Sequence, residues 1–394
     1  MAAKKPILIS GAGLSGLLLA RSLRSNNIPF QLFERDASLA ARAQGYRLRI
    51  STDGINALKD VLTKDEYAKL ESGTAQTGQG GMHSLDAITA QPKPRPMPGN
   101  NNQGGSGTKG PGLGGDVLGV SRAFLRQCLF EGEEDVVRWG KKATGYTLSP
   151  SGVTVTFADG STSDEGSLLI AADGSQSAIT KQLTNGRVRA YDTGARMVHG
   201  QTPARAFRDL GEGVFFVDDS SVPDRSLGLI TNVRPGSLDD PDLELGWVFV
   251  GSPGTFEPPN DDFSIVGKAA AEISRQRTAH WDAKLRAVFE QQNDEEAAFL
   301  KMSTARPEGV PEWENQARVT VMGDAVHCMT PAGGVGANTA LRDAAFIGRL
   351  AGRAGGWYEG LTREYEGEMR GYASENVRMS FEAAAGRFKI KELK

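Results

Sequence analysis

Residues 6–35 constrain this chain more than any other stretch, because they set the glycine pattern Gly11-Ala12-Gly13-Leu14-Ser15-Gly16 between two apolar runs. The run before it, PILIS, is apolar and bounded by Pro and Gly, as suits a parallel strand covered on both faces. After it, LSGLLLARSLRSNN repeats apolar residues at helical spacing and stops at Asn26-Asn27, and PFQLFER reads as a second strand. Strand, glycine turn, helix and strand in about thirty residues make one βαβ unit, so the chain must build a parallel sheet with helices on its faces. Within that unit Gly11 permits the tight turn, Gly13 lets backbone N–H groups approach an anion at the positive helix end, and Gly16 allows close helix packing. The pattern predicts a dinucleotide site. Glu34, at the end of the second strand, can accept both ribose hydroxyls of an adenosine and would repel a 2′-phosphate, which favours FAD or NAD over NADP.

A length of 394 residues exceeds one ordinary core, so two lobes are expected, not necessarily contiguous in sequence. The 45 Lys and Arg against 48 Asp and Glu leave a formal charge of −3 without single-sign blocks, which argues against a nucleic-acid or membrane-surface binder and for a small-molecule partner. Cys128 and Cys328 form no disulfide framework or metal spacing, and both read as small buried hydrophobes in a reducing compartment. The start, MAAKKPILISGAG, is too short for a signal-peptide core, and no apolar run of spanning length follows, so a soluble cytoplasmic protein without a membrane span is expected.

Further along, 91–115 is rich in Pro, Gly and Asn and reads as a mobile surface loop, here bounded as 91–111. VSRAFLRQCLF predicts a helix, GYTLS and GVTVTFA a hairpin, and SLLIAADGS a buried strand ending in Asp173-Gly174. Three short runs within 195–251, VFFVDD, SLGLITNV and LELGWVFVG, predict a mostly antiparallel sheet. The segment 262–292 reads as helical from its apolar spacing and lack of internal proline. WENQARVTVMGD supplies a last core strand, GDAVHCMTPAGGVGANTALRDA a glycine loop entering a helix, and 360–386 a charged amphipathic helix whose Glu and Arg face solvent.

Taken in order and spacing, GAGLSG with Glu34, Arg122 in VSRAFLRQCL, LLIAADGSQSAI around Asp173-Gly174, and GDAVHCMTPAGGVGANTALRDA resemble the FAD-dependent aromatic hydroxylase family, the single-component flavoprotein monooxygenases. The resemblance implies an α/β fold with an α+β second lobe: a glutathione-reductase-type, Rossmann-like FAD-binding domain, a mixed antiparallel sheet lobe for substrate, and a C-terminal helix. The corresponding boundaries are 1–74, 112–186 and 300–350 for the FAD-binding domain, 75–90 and 187–299 for the sheet lobe, and 351–394 for the C-terminal helical segment. It also implies non-covalent FAD held by Gly11, Gly13, Ser15, Gly16, Glu34, Arg35, Arg122, Asp173, Gly174, Gly323 and Asp324. Asp324 would accept from a ribityl hydroxyl. Pro331, Gly333, Gly334, Val335, Gly336, Ala337 and Asn338 would lie along the flavin, Asn338 beginning a helix whose positive end faces the pyrimidine ring and stabilises charge near N1.

The implied reaction takes electrons from NADPH or NADH, forms a flavin C4a-hydroperoxide with O2, and hydroxylates or epoxidises an aromatic or conjugated small molecule. Its protein requirements are substrate placement and exclusion of water, with Arg49, Pro331 and Gly334 nearest the chemistry. Two departures from the family pattern stand out: Val335 replaces a common glutamine, and Ile179-Thr180-Lys181 replaces the arginine that usually follows the Asp-Gly turn. GYRLRI alternates, placing Arg47 and Arg49 on one strand face as possible anchors for an acidic or phenolate substrate. His83, His199, Phe216 and Trp247 are further pocket candidates; His327 reads as structural, and no residue set suggests a metal. A flavin oxidase or dehydrogenase, and a non-redox isomerase that keeps FAD as scaffold, remain open alternatives. The sequence says nothing of oligomeric state.

Overall fold

The structure, a computed structural model, describes residues 4–39, 47–94, 117–222 and 224–394, so the loop expected over 91–111 lies outside the described residues from 95 onward. In chain order it forms β1 (Ile7–Ser10), α1 (Leu14–Ser25), β2 (Phe30–Phe33), β3 (Arg47–Ile50), α2 (Thr52–Val61), α3 (Lys64–Ser72), β4 (Ala75–Gly80), β5 (Met82–Asp86), β6 (Leu118–Ser121) and α4 (Arg122–Phe130). Next come β7 (Val137–Arg138), β8 (Ala143–Leu148), β9 (Val153–Phe157), β10 (Leu168–Ala171), α5 (Ala178–Leu183), β11 (Tyr191–Pro203), β12 (Gly213–Asp218), β13 (Leu227–Val233) and β14 (Glu244–Gly251). The remainder is α6 (Lys268–Thr278), α7 (Ala283–Glu290), β15 (Asn293–Thr304), β16 (Val319–Val321), α8 (Asp324–His327), α9 (Gly336–Ala354) and α10 (Leu361–Phe388).

β1, β10 and β16 are wholly buried in a five-stranded sheet ordered β16-β10-β1-β2-β7, every neighbour parallel, with the mainly apolar runs of β10 and β1 in its middle and β16 at one edge. Its core gathers Leu17, Leu18 and Leu23 of α1, Leu341 and Ile347 of α9, and Val153 and Val155 of the β8–β9 hairpin. Each such fully buried aliphatic contributes about 1.5–3 kcal/mol relative to exposure.

The second sheet, ordered β15-β11-β14-β13-β12-β5, is antiparallel except where β5 runs parallel to β12. Side chains alternate between its faces. One face packs Trp247, Phe249 and Phe299 against Trp281, Leu285 and Phe289 of the α6–α7 layer. The other carries Met197, Val250 and Met302 toward Ala332 of the glycine loop and toward Phe381, Ala384 and Phe388 of α10.

Four expectations need correction. The segment 262–292 is two helices, not one: Thr278 ends α6, and Asp282 accepts from Lys284 N at 2.9 Å to cap α7. Trp281 in the break is buried and donates its indole N–H to Asp219 at 2.8 Å, so a side-chain anchor and a local cap outweigh continuous helical spacing. β15 continues to Thr304, which carries the sheet lobe past residue 300, while β4 pairs with β6 beside β3 in a separate three-stranded sheet, so of 75–90 only β5 joins the large one. Helix α4 begins at Arg122, capped by Ser121 Oγ accepting from Phe124 N, and the residues before it are strand β6. Finally, α10 is not simply a solvated face. Tyr365, Met369 and Ala373 enter the first core, Ala384 and Phe388 reach the second sheet, and Glu366 is buried, accepting from Thr320 Oγ1 at 2.9 Å and Asn315 Nδ2 at 3.1 Å. One stripe at i, i+4 spacing with a single i, i+3 step from Val377 to Ser380 thus ties both lobes together.

Candidate active site

The parallel strands end level with one another. Ser10 pairs with Ala171 and Phe33, and Ala171 pairs with Val321, so Gly11, Glu34, Asp173 and Gly323 all emerge at one carboxyl edge. That edge is where open parallel sheets bind ligands.

The glycines there have separable duties. Gly11 has φ 111°, and a Cβ on it would overlap the Ala172 carbonyl oxygen; a Cβ on Gly16 would overlap the Gly11 carbonyl. Both are demanded by the fold. Gly13 caps α1 with an extended backbone, and nothing lies within 4 Å of where its Cβ would be. Its side faces open space at a helix N-terminus, which is the shape a phosphate requires. Glu34 is buried and accepts from Ala12 N at 2.8 Å and Asp36 N at 3.0 Å, leaving lone pairs on both oxygens for a further donor. Arg35 is exposed beside it. Ser15 lies against Gly323, its Oγ 3.1 Å from the place of a Cβ there, and so joins the first loop to the second.

Asp173 Oδ1 is buried without a hydrogen-bond partner. Burial pushes its carboxyl up to about 6, against the opposing pull of Ser177 and the Arg35 charge. An orphaned carboxylate oxygen beside an open glycine cradle fits a polyol or nucleotide ligand that donates to it. Asp324 opens into the same groove, yet protein crowds its other sides and raises its pKa, with His327 and Arg122 partly offsetting this. The Cys128 and Cys328 thiols are half-buried, and burial raises both pKa values.

Asn338 departs from its expected role. Helix α9 begins at Gly336, and Asn338 lies in its first turn, 3% exposed, donating to the carbonyls of Arg49 at 2.9 Å and Gly334 at 2.8 Å and accepting from Ser51 N at 2.9 Å. Its side chain clamps β3 to the glycine loop. Gly333 and Gly334 have φ 83° and 67°, and a Cβ on Gly334 would stand 3.6 Å from Arg49 Cβ. Arg49 is therefore a neighbour of the loop containing Pro331, Val335 and Ala337; partial burial lowers its pKa. The Arg47 side chain lies outside the described residues.

Among the substrate-lobe candidates, strand parity decides. Phe216, Ile230, Val248 and His199 are successive cross-strand partners on the face that meets the glycine loop, and the first three are half-exposed apolar residues. Trp247 and His83 are on the opposite face. Trp247 is 1% exposed, donates to Thr202 Oγ1 at 2.8 Å and meets Phe289 edge-on, while His83 stacks on Phe215 at 4.9 Å. Both are corrected to structural positions, since a one-residue step in a strand reverses the face.

Two important residues escape the sequence reading. Arg126 is buried, and donates from Nε to Ala12 O and from Nη1 to Leu39 O, each at 3.0 Å, bracing the first glycine loop from behind. Its signal was a second arginine one helical turn after Arg122. Asp343, fully buried on α9, accepts from Gly323 N at 2.8 Å, His327 Nε2 at 2.7 Å and Tyr372 OH at 2.6 Å. Burial by itself would lower the His327 pKa, but the charge and hydrogen bond of Asp343 outweigh it and raise the pKa above its ordinary value. Its signal was a carboxylate on the apolar stripe of an amphipathic helix. Among the described residues no group of His, Cys, Asp and Glu is arranged to hold a metal ion, and no helix is long and apolar enough to cross a membrane.

Comparison with known proteins adds to this geometry. A family model described as FAD binding domain matches residues 131–380. The chain is 34% identical over 382 residues to the dual O-methyltransferase/FAD-dependent monooxygenase elcB of Phaeosphaeria nodorum, covering 88% of this chain and 40% of that protein. It is 28% identical over 373 residues to the FAD-dependent monooxygenase dbaB of Emericella nidulans, covering 87% and 86%. The crystal structure of HpxO from Klebsiella pneumoniae, complexed with FAD and uric acid, shares the fold with a TM-score of 0.71 at 19% identity, covering 97% and 89%. The chain spans less than half the length of elcB and of the similar dual enzymes from Cercospora.

Proposed function

We propose, from the premise that this chain belongs to the FAD-dependent aromatic hydroxylase family, that it is a monooxygenase module that binds FAD at the carboxyl edge of its parallel sheet and oxygenates an aromatic or conjugated small molecule. The observation that carries this reading is the convergence of Gly13, Glu34, Asp173 and Asp324 on one groove that also meets an apolar sheet face.

In this reading the first turn of α1 and the backbone at Gly13 take the pyrophosphate, Glu34 takes the ribose, and Asp324 takes a ribityl hydroxyl. Arg35, Arg122 and the Asp173-Gly174 turn frame the same groove, in keeping with a glutathione-reductase-type domain. The loop from Pro331 to Gly336 follows the isoalloxazine ring, and the N-terminus of α9 stabilises negative charge on it. When bound, FAD supplies electrons accepted from NADPH or NADH and the activation of O2. The chain's own work is placement and exclusion of water: the half-exposed residues Phe216, Ile230 and Val248 hold the substrate on the side facing the loop, while the second core seals the sheet from behind.

The test is the visible absorbance of purified protein, with chromatography of the cofactor released on denaturation, then oxygen-isotope incorporation into product. Stoichiometric FAD and labelled oxygen from O2 in the product are expected. A colourless protein that takes up no added FAD would overturn the cofactor assignment, and FAD reduction by substrate without oxygen incorporation would indicate an oxidase or dehydrogenase.

A further inference from the structure

The apolar row that faces the glycine loop ends at a cation supplied by a different element. Arg387, in the last turn of α10, places its guanidinium carbon 4.8 Å from the centre of the Phe216 ring and an Nη2 3.8 Å from Asp218 Oδ1. The ring contact is a cation–π interaction, and the Asp218 contact is an ion pair too long for a hydrogen bond. Phe381, Ala384 and Phe388 of the same helix pack on the same sheet face. Arg387 therefore stands on a wall built by α10, whereas Arg49 lies against Gly334 of the glycine loop.

From Phe216 through Ile230 to Val248 the half-exposed row crosses two strand spacings, about 10 Å, and stops at His199, which is 3% exposed. That length takes an aromatic system of more than one ring. The face of the row is apolar in the middle, with a guanidinium at the β12 end and an imidazole at the β11 end. A guanidinium that stacks through its face presents N–H donors along its edge, the geometry that receives a carboxylate or ionised phenol in paired hydrogen bonds.

We propose that Arg387 is the specificity-determining anchor for an anionic group, a carboxylate or an ionised phenol, on a fused-ring aromatic substrate lying along this row. The assignment rests on the FAD-dependent oxygenation reading. It makes α10 part of the substrate site as well as the tie between lobes. Arg49, against the loop, is then left to the cofactor side.

The experiment titrates FAD-loaded protein with 3-hydroxy-2-naphthoate and, separately, its methyl ester, following the perturbation of the flavin visible spectrum. Wild type is expected to bind the acid at least about tenfold more tightly than the ester, Arg387→Gln to lose that preference, and Arg387→Lys to retain part of it. Arg49→Gln, measured alongside, is expected to keep the preference. Equal acid-to-ester ratios in wild type and Arg387→Gln, loss of preference with Arg49→Gln instead, or no perturbation of bound flavin by either probe would overturn the proposal. Failure to hold FAD at all would instead overturn the reading beneath it, and the colour of the protein distinguishes the two.

Discussion

Replacing Asp343 with Asn or Ala tests whether a buried charge organises the second glycine loop. Three donors converge on this carboxylate from three places: the Gly323 amide at the loop, His327 on α8, and the Tyr372 hydroxyl on α10. An Asn in the same pose can keep the amide and imidazole bonds on its one oxygen and donate to the Tyr372 oxygen, so its geometry survives while the charge does not. Two charge-assisted bonds then fall to neutral strength, a loss of about 1 kcal/mol each, and His327 gives up the partner that raises its pKa. The expected cost is about 2–3 kcal/mol for Asp343→Asn, and about 3–5 kcal/mol for Asp343→Ala, which leaves every donor unmet.

The pH dependence sharpens the test. His327 has a folded pKa above its ordinary value, so its contribution is complete below about pH 6.5 and is lost as pH rises through the folded pKa. Without Asp343, burial dominates and lowers the folded pKa, although Asp324 still acts in the opposite direction. Stability of Asp343→Asn relative to wild type should therefore worsen as pH falls from about 8 to about 6. Urea unfolding at both values, with and without added FAD, reads this directly. An Asp343→Ala protein within about 1 kcal/mol of wild type at both pH values would refute the reasoning.

The two loop glycines should separate fold from ligand. Gly11→Ala meets the Ala172 carbonyl at a left-handed φ and should cost at least about 3 kcal/mol, whereas Gly13→Ala should leave urea stability within about 1 kcal/mol yet weaken FAD binding at least about tenfold, measured by flavin fluorescence. Asp173 has a carboxyl pKa raised to about 6, so its ionisation costs folded stability as pH rises from about 4 to about 6; Asp173→Asn should remove up to about 2–3 kcal/mol of that loss in urea titrations of FAD-free protein. Trp247→Phe, which removes the indole bond to Thr202 and leaves space beside it while the Thr202 hydroxyl still donates to the Val288 carbonyl, should cost about 1–3 kcal/mol in urea unfolding with turnover retained, while Phe216→Ala should raise KM with little loss of stability; the opposite pattern would mean the sheet faces are assigned the wrong way round.

What the sequence determined by itself was local. The β1–α1–β2 unit, the β8–β9 hairpin and the glycine loop before α9 each announce themselves through periodicity and turn residues within a few tens of positions, because backbone conformation there answers to neighbours in the chain. The residue types that a dinucleotide groove needs were legible for the same reason: Gly11, Gly13 and Glu34 lie in one supersecondary unit. Trp247 and Phe216 look alike as aromatic residues in short strands, and only the cross-strand register puts one behind the sheet and the other before the loop. Asp343, Arg126 and Arg387 take their roles from partners roughly twenty to a hundred and seventy residues away. The break at Trp281 depends on Asp219, sixty-two positions upstream. Tertiary structure decided these because the free energy of a buried charge or a packed ring is set by what surrounds it in space, and the chain's order does not specify those surroundings until it has folded.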